Sequence, residues 1–211
     1  MDYFRTQYEK CYEGDEYYWG LEPAAFLDGL VEITAKKPTE LKVLDIGCGE
    51  GKDAVYMAEL GCDVTAFDIT ESGIRKTKML AEKRGVEINA FVADVNDFSI
   101  DDKFDIIYST GTIQYLFDDR IEPFFEKIKE MVNVGGHVYF NVFVDKPFLE
   151  LPPDWDKEEK MWKTGDLFKH FADWEICKME EIIFEDNSGG VKHYHCMDTV
   201  IENIDNKGIT L

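Results

Sequence analysis

The nine residues Val43-Leu44-Asp45-Ile46-Gly47-Cys48-Gly49-Glu50-Gly51 constrain this chain more than any others. A buried-strand pattern runs straight into three glycines at alternate positions, and a helical pattern follows. Strand, tight turn and helix in that order are the entry unit of a parallel α/β sheet. Glycine has no Cβ, so such a turn adopts backbone angles closed to other residues and brings its N–H groups close to a ligand. This is a nucleotide-type cofactor loop. The dinucleotide spacing G-x-G-x-x-G, counted from Gly47 and Gly49, would need its third glycine where Lys52 stands. The run reads D-x-G-x-G-x-G instead, and a carboxylate at Asp45 repels a pyrophosphate but attracts an ammonium group.

Helical and strand patterns alternate through the rest of the chain. Strands are predicted at 41–46, 64–67, 86–92, 104–108 and 137–144, with Gly135-Gly136 turning the backbone into the fifth. Between them lie helices with inward positions Ala54, Met57, Ala58 and Leu60; Ile74, Thr77 and Ala81, capped by Thr70 and ended by Gly85; and Ile121, Phe124, Phe125, Ile128 and Val132. Prolines at 147, 152 and 153 mark an insertion at 145–165. After a short helix near 166–171, segments 174–185 and 191–201 form a hairpin across Asp186 to Gly190. At the other end, residues 1–38 form a helical cap, with an amphipathic helix at Phe26, Leu27, Leu30 and Ile33. The expected fold class is α/β: a Rossmann-like, mostly parallel seven-stranded sheet with a C-terminal antiparallel hairpin and helices on both faces.

At 211 residues with no linker or repeat, a single domain spanning 1–211 is the default. Forty-four acidic residues against 23 basic ones give a net charge of -21, which disfavours nucleic acid as a partner. No apolar run approaches the ~18 residues that cross a bilayer. The N-terminal segment lacks the apolar stretch of a secretion signal, and the five cysteines show no C-x-x-C spacing, so a reduced, cytoplasmic protein without a metal site is expected.

The glycine run and the terminal hairpin resemble the class I S-adenosylmethionine-dependent methyltransferases over nearly the whole chain. The glycine loop, Tyr17-Tyr18-Trp19-Gly20, Gly135-Gly136-His137 and the proline-rich insertion look most like the tellurite-resistance and thiopurine-type small-molecule branch. The resemblance implies S-adenosylmethionine as cofactor and S-adenosylhomocysteine as product, with Asp45, Gly47, Cys48, Gly49 and Gly51 around the methionine part. Asp68, 23 residues after Asp45, would accept from the ribose hydroxyls, Ile69 would lie against adenine, and Asp94 and Val95 would meet its edge. Ser109 and Thr110, ending strand four, complete the set. Each carboxylate alone also reads as a loop or helix-cap acid.

Strand four leads into Tyr108-Ser109-Thr110-Gly111-Thr112, not the Asn/Asp-Pro-Pro-Tyr/Phe of many enzymes that methylate amine groups of bases or amides. A small soluble nucleophile is therefore the expected acceptor: a thiol, or a selenium or tellurium oxyanion. The latter is doubtful in so acidic a chain, which also lacks the family's His-Arg pair near Phe184-Glu185-Asp186-Asn187. Tyr17, Tyr18, Trp19, Tyr115, Phe148 and Trp155 are the substrate-side candidates, with Trp162 as a further lid aromatic. Catalytic candidates are Tyr18, His193 and His195, although the histidines read first as structural residues. The protein would act as a monomer or homodimer. Two other readings share the sheet: a cofactor-binding module without catalysis, and a nucleotide-dependent oxidoreductase.

Overall fold

The computed structural model describes residues 2–34, 36–150, 159–186 and 193–203. Seven strands form one sheet: β1 (Lys42–Ile46), β2 (Asp63–Asp68), β3 (Asn89–Val92), β4 (Phe104–Thr110), β5 (Val132–Phe143), β6 (Glu175–Asp186) and β7 (His193–Asn203), in the spatial order β3-β2-β1-β4-β5-β7-β6. The first five pair in parallel, and β7 inserts antiparallel between β5 and β6. The chain runs outward from β1 through β2 to β3, then returns across β1 to begin β4. That reversal opens a crevice at the carboxyl ends of β1 and β4, where α/β sheets take their ligands.

Helices α1 (Asp2–Tyr12), α2 (Phe26–Glu32), α3 (Lys52–Glu59), α4 (Glu71–Arg84), α5 (Ile121–Met131) and α6 (Asp166–His170) surround the sheet. Helix α5 shows why the sequence folds this way. Phe124, Phe125, Ile128 and Met131 recur at helical spacing, and all four are buried against Phe104, Val138 and Phe140 of the sheet. Each such side chain contributes about 1.5–3 kcal/mol on burial. Leu27 and Leu30 of α2 join Met57 and Ala58 of α3 over the opposite face, on Val43, Ile106 and Tyr139. Helix α4 starts at Thr70, whose hydroxyl accepts from the Gly73 N–H at 3.2 Å, and ends at Gly85 in the left-handed region.

Several elements depart from the sequence expectation. Helix α1 lies inside the helical cap expected at 1–38, although its charged and aromatic residues show little apolar periodicity to set its bounds. Ile33 is 43% exposed at the C-cap of α2 instead of facing the sheet, since that helix is only two turns long. Strand β3 starts at Asn89, not Val86; Val86 packs beside the helices before the strand begins. Strand β5 begins at Val132, directly after α5. Its register against β4 jumps from Phe104↔Val132 to Ile106↔His137, so Gly135-Gly136 lies in a bulge within the strand and not in a turn before it. The hairpin turn at 187–190 lies outside the described residues.

Candidate functional site

Strand β1 delivers Asp45 and the glycine loop to the crevice. Gly47, Gly49 and Gly51 all have positive φ, and a Cβ at Gly47 would stand 2.1 Å from the Thr112 hydroxyl, so both conformation and space demand glycine there. The Gly47 and Cys48 N–H groups donate to the Phe67 carbonyl at 2.8 and 3.0 Å, locking the loop to β2. Asp68, ending β2, accepts from Gly49 N–H at 2.9 Å through Oδ2, and from the Thr70 N–H and hydroxyl at 2.9 and 2.6 Å through Oδ1. Its carboxylate thus ties the loop to the start of α4.

Two further ties hold the elements around the loop. Glu50, in the loop, forms a buried ion pair with Lys76 of α4 at 2.7 Å, and Lys76 also donates to the Glu16 carbonyl at 2.6 Å. Glu9 of α1 accepts from the N–H groups of Glu71 and Ser72 at 2.6 and 3.1 Å, supplying α4 with a carboxylate at its positive end. Helix α1 is thereby fastened above the crevice. Its Tyr8 hydroxyl meets that of Tyr115 at 2.7 Å, and its Tyr12 hydroxyl accepts from the Trp19 indole N–H at 2.8 Å.

These elements enclose one cavity of about 790 Å³. Of the residues expected to hold the cofactor, Asp45, Gly47, Cys48, Gly49, Asp68, Ile69, Val95 and Thr110 line it. Asp94 does not: its Oδ1 accepts from the Asn96 N–H at 2.8 Å in a local turn, while its neighbours Ala93 and Val95 face the cavity. Ser109 points into the sheet, its hydroxyl donating to the Ile46 carbonyl at 2.8 Å, and Gly51 packs beneath the loop on Thr77. Strand alternation explains Ser109, which takes the face opposite Tyr108.

On the substrate side, Tyr18, Trp19, Tyr115 and His195 line the cavity. Tyr17 does not: it packs on α3 and α4 with its hydroxyl 3.4 Å from the Lys76 carbonyl. Phe148 is 69% exposed, away from the site. Trp162 is no lid. Its N–H and C=O pair with Phe143 and Asp145, and its ring is buried against Phe125 on the α5 face. Trp155 and the side chain of His193 lie outside the described residues.

Tyr8, Gln114, Asn141, Phe143, Glu159, Phe184 and Met197 also line the cavity, and sequence reasoning missed them. They come from α1, from the turn after β4, from β5, from the insertion before α6 and from the hairpin, and no local motif marks them.

Burial dominates the electrostatics. Loss of solvent, then the nearby Asp53 charge, lifts the Asp45 carboxyl well above its ordinary range, although the Tyr108 hydroxyl donates to it at 3.0 Å. Asp68 is raised for the same first reason, opposed by its hydrogen bonds. Burial also pushes the Tyr8 and Tyr115 hydroxyls up, so both stay protonated at neutral pH. Among the described residues no group of three His, Cys, Asp or Glu side chains is placed to hold a metal.

A sheet of this order, with a glycine loop after β1, an acid ending β2 and an antiparallel hairpin at the far edge, is the fold of the class I S-adenosylmethionine-dependent methyltransferases. The comparisons narrow the class. The tellurite resistance protein TehB family matches residues 16–192, and the chain belongs to it. It is 30% identical over 155 residues to the probable S-adenosyl-L-methionine-dependent methyltransferase TehB of Haemophilus influenzae, covering 74% of this chain and 53% of that protein. The chain thus spans about half the length of the curated relatives it matches. The crystal structure of TehB from Haemophilus influenzae superposes with a TM-score of 0.75 at 23% identity, covering 94% of this chain and 66% of that one. The Burkholderia thailandensis 1,6-didemethyltoxoflavin-N1-methyltransferase, solved with S-adenosylhomocysteine, gives 0.69 at 18% identity, covering 95% and 86%. Among the described residues no helix is long and apolar enough to cross a membrane.

Proposed function

We propose that the chain is a single-domain cytoplasmic enzyme, monomeric or dimeric, that transfers a methyl group from S-adenosylmethionine to a small soluble nucleophile. One observation carries this reading: Asp45, the Gly47–Gly49 loop, Asp68, Ile69 and Val95 converge on one cavity large enough for a nucleoside cofactor and a second small molecule. Family membership and the S-adenosylhomocysteine in a neighbour of the same fold support the choice of cofactor.

The residues fit that group. The glycine loop leaves open backbone where a Cβ at Gly49 would approach the Tyr12 hydroxyl to 3.2 Å. Asp45 would face the ammonium of the amino-acid moiety, gaining the counter-charge its burial lacks. Asp68 would receive a ribose hydroxyl on the Oδ2 lone pair left open by Gly49, and Ile69 and Val95 would flank the base. S-adenosylmethionine, when bound, supplies an electrophilic methyl on a sulfonium sulfur. Tyr8, Tyr12, Tyr18, Trp19 and Tyr115 roof the cavity, exclude water and hold the acceptor in line.

Calorimetric titration with S-adenosylhomocysteine and with NADH, followed by incubation of methyl-labelled cofactor with fractionated cell extract, tests the reading. Binding of the first ligand alone and label in low-mass products are expected. Preference for NADH would mean an oxidoreductase, and cofactor binding without transfer would mean a non-catalytic module.

A further inference from the structure

Helix α1 covers the cavity without joining the core. Phe4, Tyr8, Cys11 and Tyr12, on successive turns, line the cavity wall. Yet among the described residues Tyr12 is the one buried side chain of this helix, and α1 adds nothing to the apolar core clusters that α2 to α6 all enter. An element held without buried apolar contacts opens by itself, at a lower free energy than the domain around it.

What holds α1 is a set of polar and ring contacts. The Glu9 carboxylate accepts from the Glu71 and Ser72 N–H groups and from the Ser72 hydroxyl at the start of α4. The Tyr8 hydroxyl meets that of Tyr115, and the Phe4 ring lies 4.6 Å from the Tyr115 ring. Tyr115 is seated in turn by Asn96, whose amide donates to the Tyr115 carbonyl at 3.1 Å and accepts from the Phe117 N–H at 2.8 Å. Tyr12 accepts from the Trp19 indole, and the Trp19 backbone N–H donates to Glu50 of the glycine loop at 3.2 Å. Each tie thus ends on, or next to, a segment that lines the cavity.

The chain leaving α1 has the form of a hinge. Glu13, Gly14 and Asp15 are exposed, and a Cβ on Gly14 would meet nothing within 4 Å. The next residue is pinned, its Glu16 carbonyl accepting from the buried Lys76 ammonium at 2.6 Å. A few unpacked residues before a fixed point absorb a rotation at little cost.

We propose, resting on the reading that the cavity holds S-adenosylmethionine, that α1 is a hinged gate. It turns about residues 13–15 and is latched by Glu9 on α4 and by Tyr8 on Tyr115. Its opening admits the cofactor and releases S-adenosylhomocysteine. With the gate shut, the Tyr12 hydroxyl lies 3.2 Å from the place a Gly49 Cβ would take, over the glycine loop.

Two measurements on the full chain test this. Rapid mixing with S-adenosylhomocysteine, followed by tryptophan fluorescence, separates a gate from a static clamp. Glu9→Gln is expected to speed dissociation about 5- to 10-fold and association about two-fold, because a looser latch opens the way in both directions. Tyr115→Phe keeps the ring, loses the hydroxyl, and is expected to speed both in the same sense. Faster dissociation with unchanged or slower association would make α1 a clamp and overturn the gate, as would unchanged rates in both variants. Hydrogen exchange read by mass spectrometry is the second measurement. In the ligand-free protein the α1 amides should exchange at least about ten-fold faster than those of α5, and saturating S-adenosylhomocysteine should slow them at least about ten-fold. Amides of α1 as slow as those of α5 overturn the gate. Absence of S-adenosylhomocysteine binding overturns the cofactor reading instead, and exchange in the ligand-free protein then decides the gate alone.

Discussion

The two halves of the cavity are built in opposite ways. At the ends of β1 and β2, backbone makes the site: glycine N–H groups, a carboxylate already committed to three donors, and a loop fixed by neighbouring strands. At the ends of β4, β5 and β7, side chains make it, contributed by segments far apart in the chain. A backbone site is satisfied before its ligand arrives and admits little variation. A side-chain site rests on residues that can be exchanged one at a time, and so can change its acceptor without disturbing the fold.

The largest expected effect lies on the backbone side. Gly47→Ala forces a Cβ into Thr112 at a positive-φ position and should lower stability by about 2–4 kcal/mol, read as a shifted denaturant midpoint. If the midpoint holds, the loop is not the fixed half of the comparison. Asp68→Ala should follow, weakening S-adenosylhomocysteine by roughly 30- to 1000-fold, about 2–4 kcal/mol, because the ligand and the loop share its carboxylate. Unchanged affinity by calorimetry would remove Asp68 from the site.

Asp45 gives a pH signature. Its folded carboxyl is raised by burial, so the stability it contributes is fully present below the ordinary carboxylate value and is lost as pH rises through the raised one. Thermal unfolding of the ligand-free protein should therefore show a decline with rising pH that Asp45→Asn flattens, and cofactor binding should release a proton in the parent but not in the variant, which has no carboxyl to lose one. Glu9→Gln, which weakens the tie between α1 and α4, should reduce cofactor affinity about 2- to 5-fold. Smallest of all, Tyr17→Phe should change affinity less than about two-fold, since its ring packs on helices outside the cavity; a larger loss would enlarge the substrate half.

The same contrast governs what could be read from the sequence. The D-x-G-x-G-x-G run, the Thr70 cap, Gly85 and the α5 stripe are local signals, legible because glycine conformation and helical period act within a few residues. Asp45 and Asp68 were found at strand ends for that reason. Asp94 was misplaced because one turn at Asn96 diverts its side chain, and Ser109 because strand parity turns it inward. Trp162 read as a lid, but a backbone pairing with the end of β5 carries it into the core. Gln114, Asn141 and Phe184 gave no signal, since only the packed sheet brings them to one wall. Helix α1 falls within the helical cap expected at 1–38, but its bounds gave no local signal: Tyr8 and Tyr12 face the cavity, so no apolar stripe forms.

The Glu50–Lys76 pair has a consequence for how such a chain can diverge. Both ends are nearly sealed from water, at 2% and 4% side-chain exposure, and removing either leaves a stranded charge that costs about 3–5 kcal/mol. Neither position can drift alone. The glutamate of the cofactor turn and the lysine 26 residues downstream are in effect one inherited character written in two places, exchangeable only together.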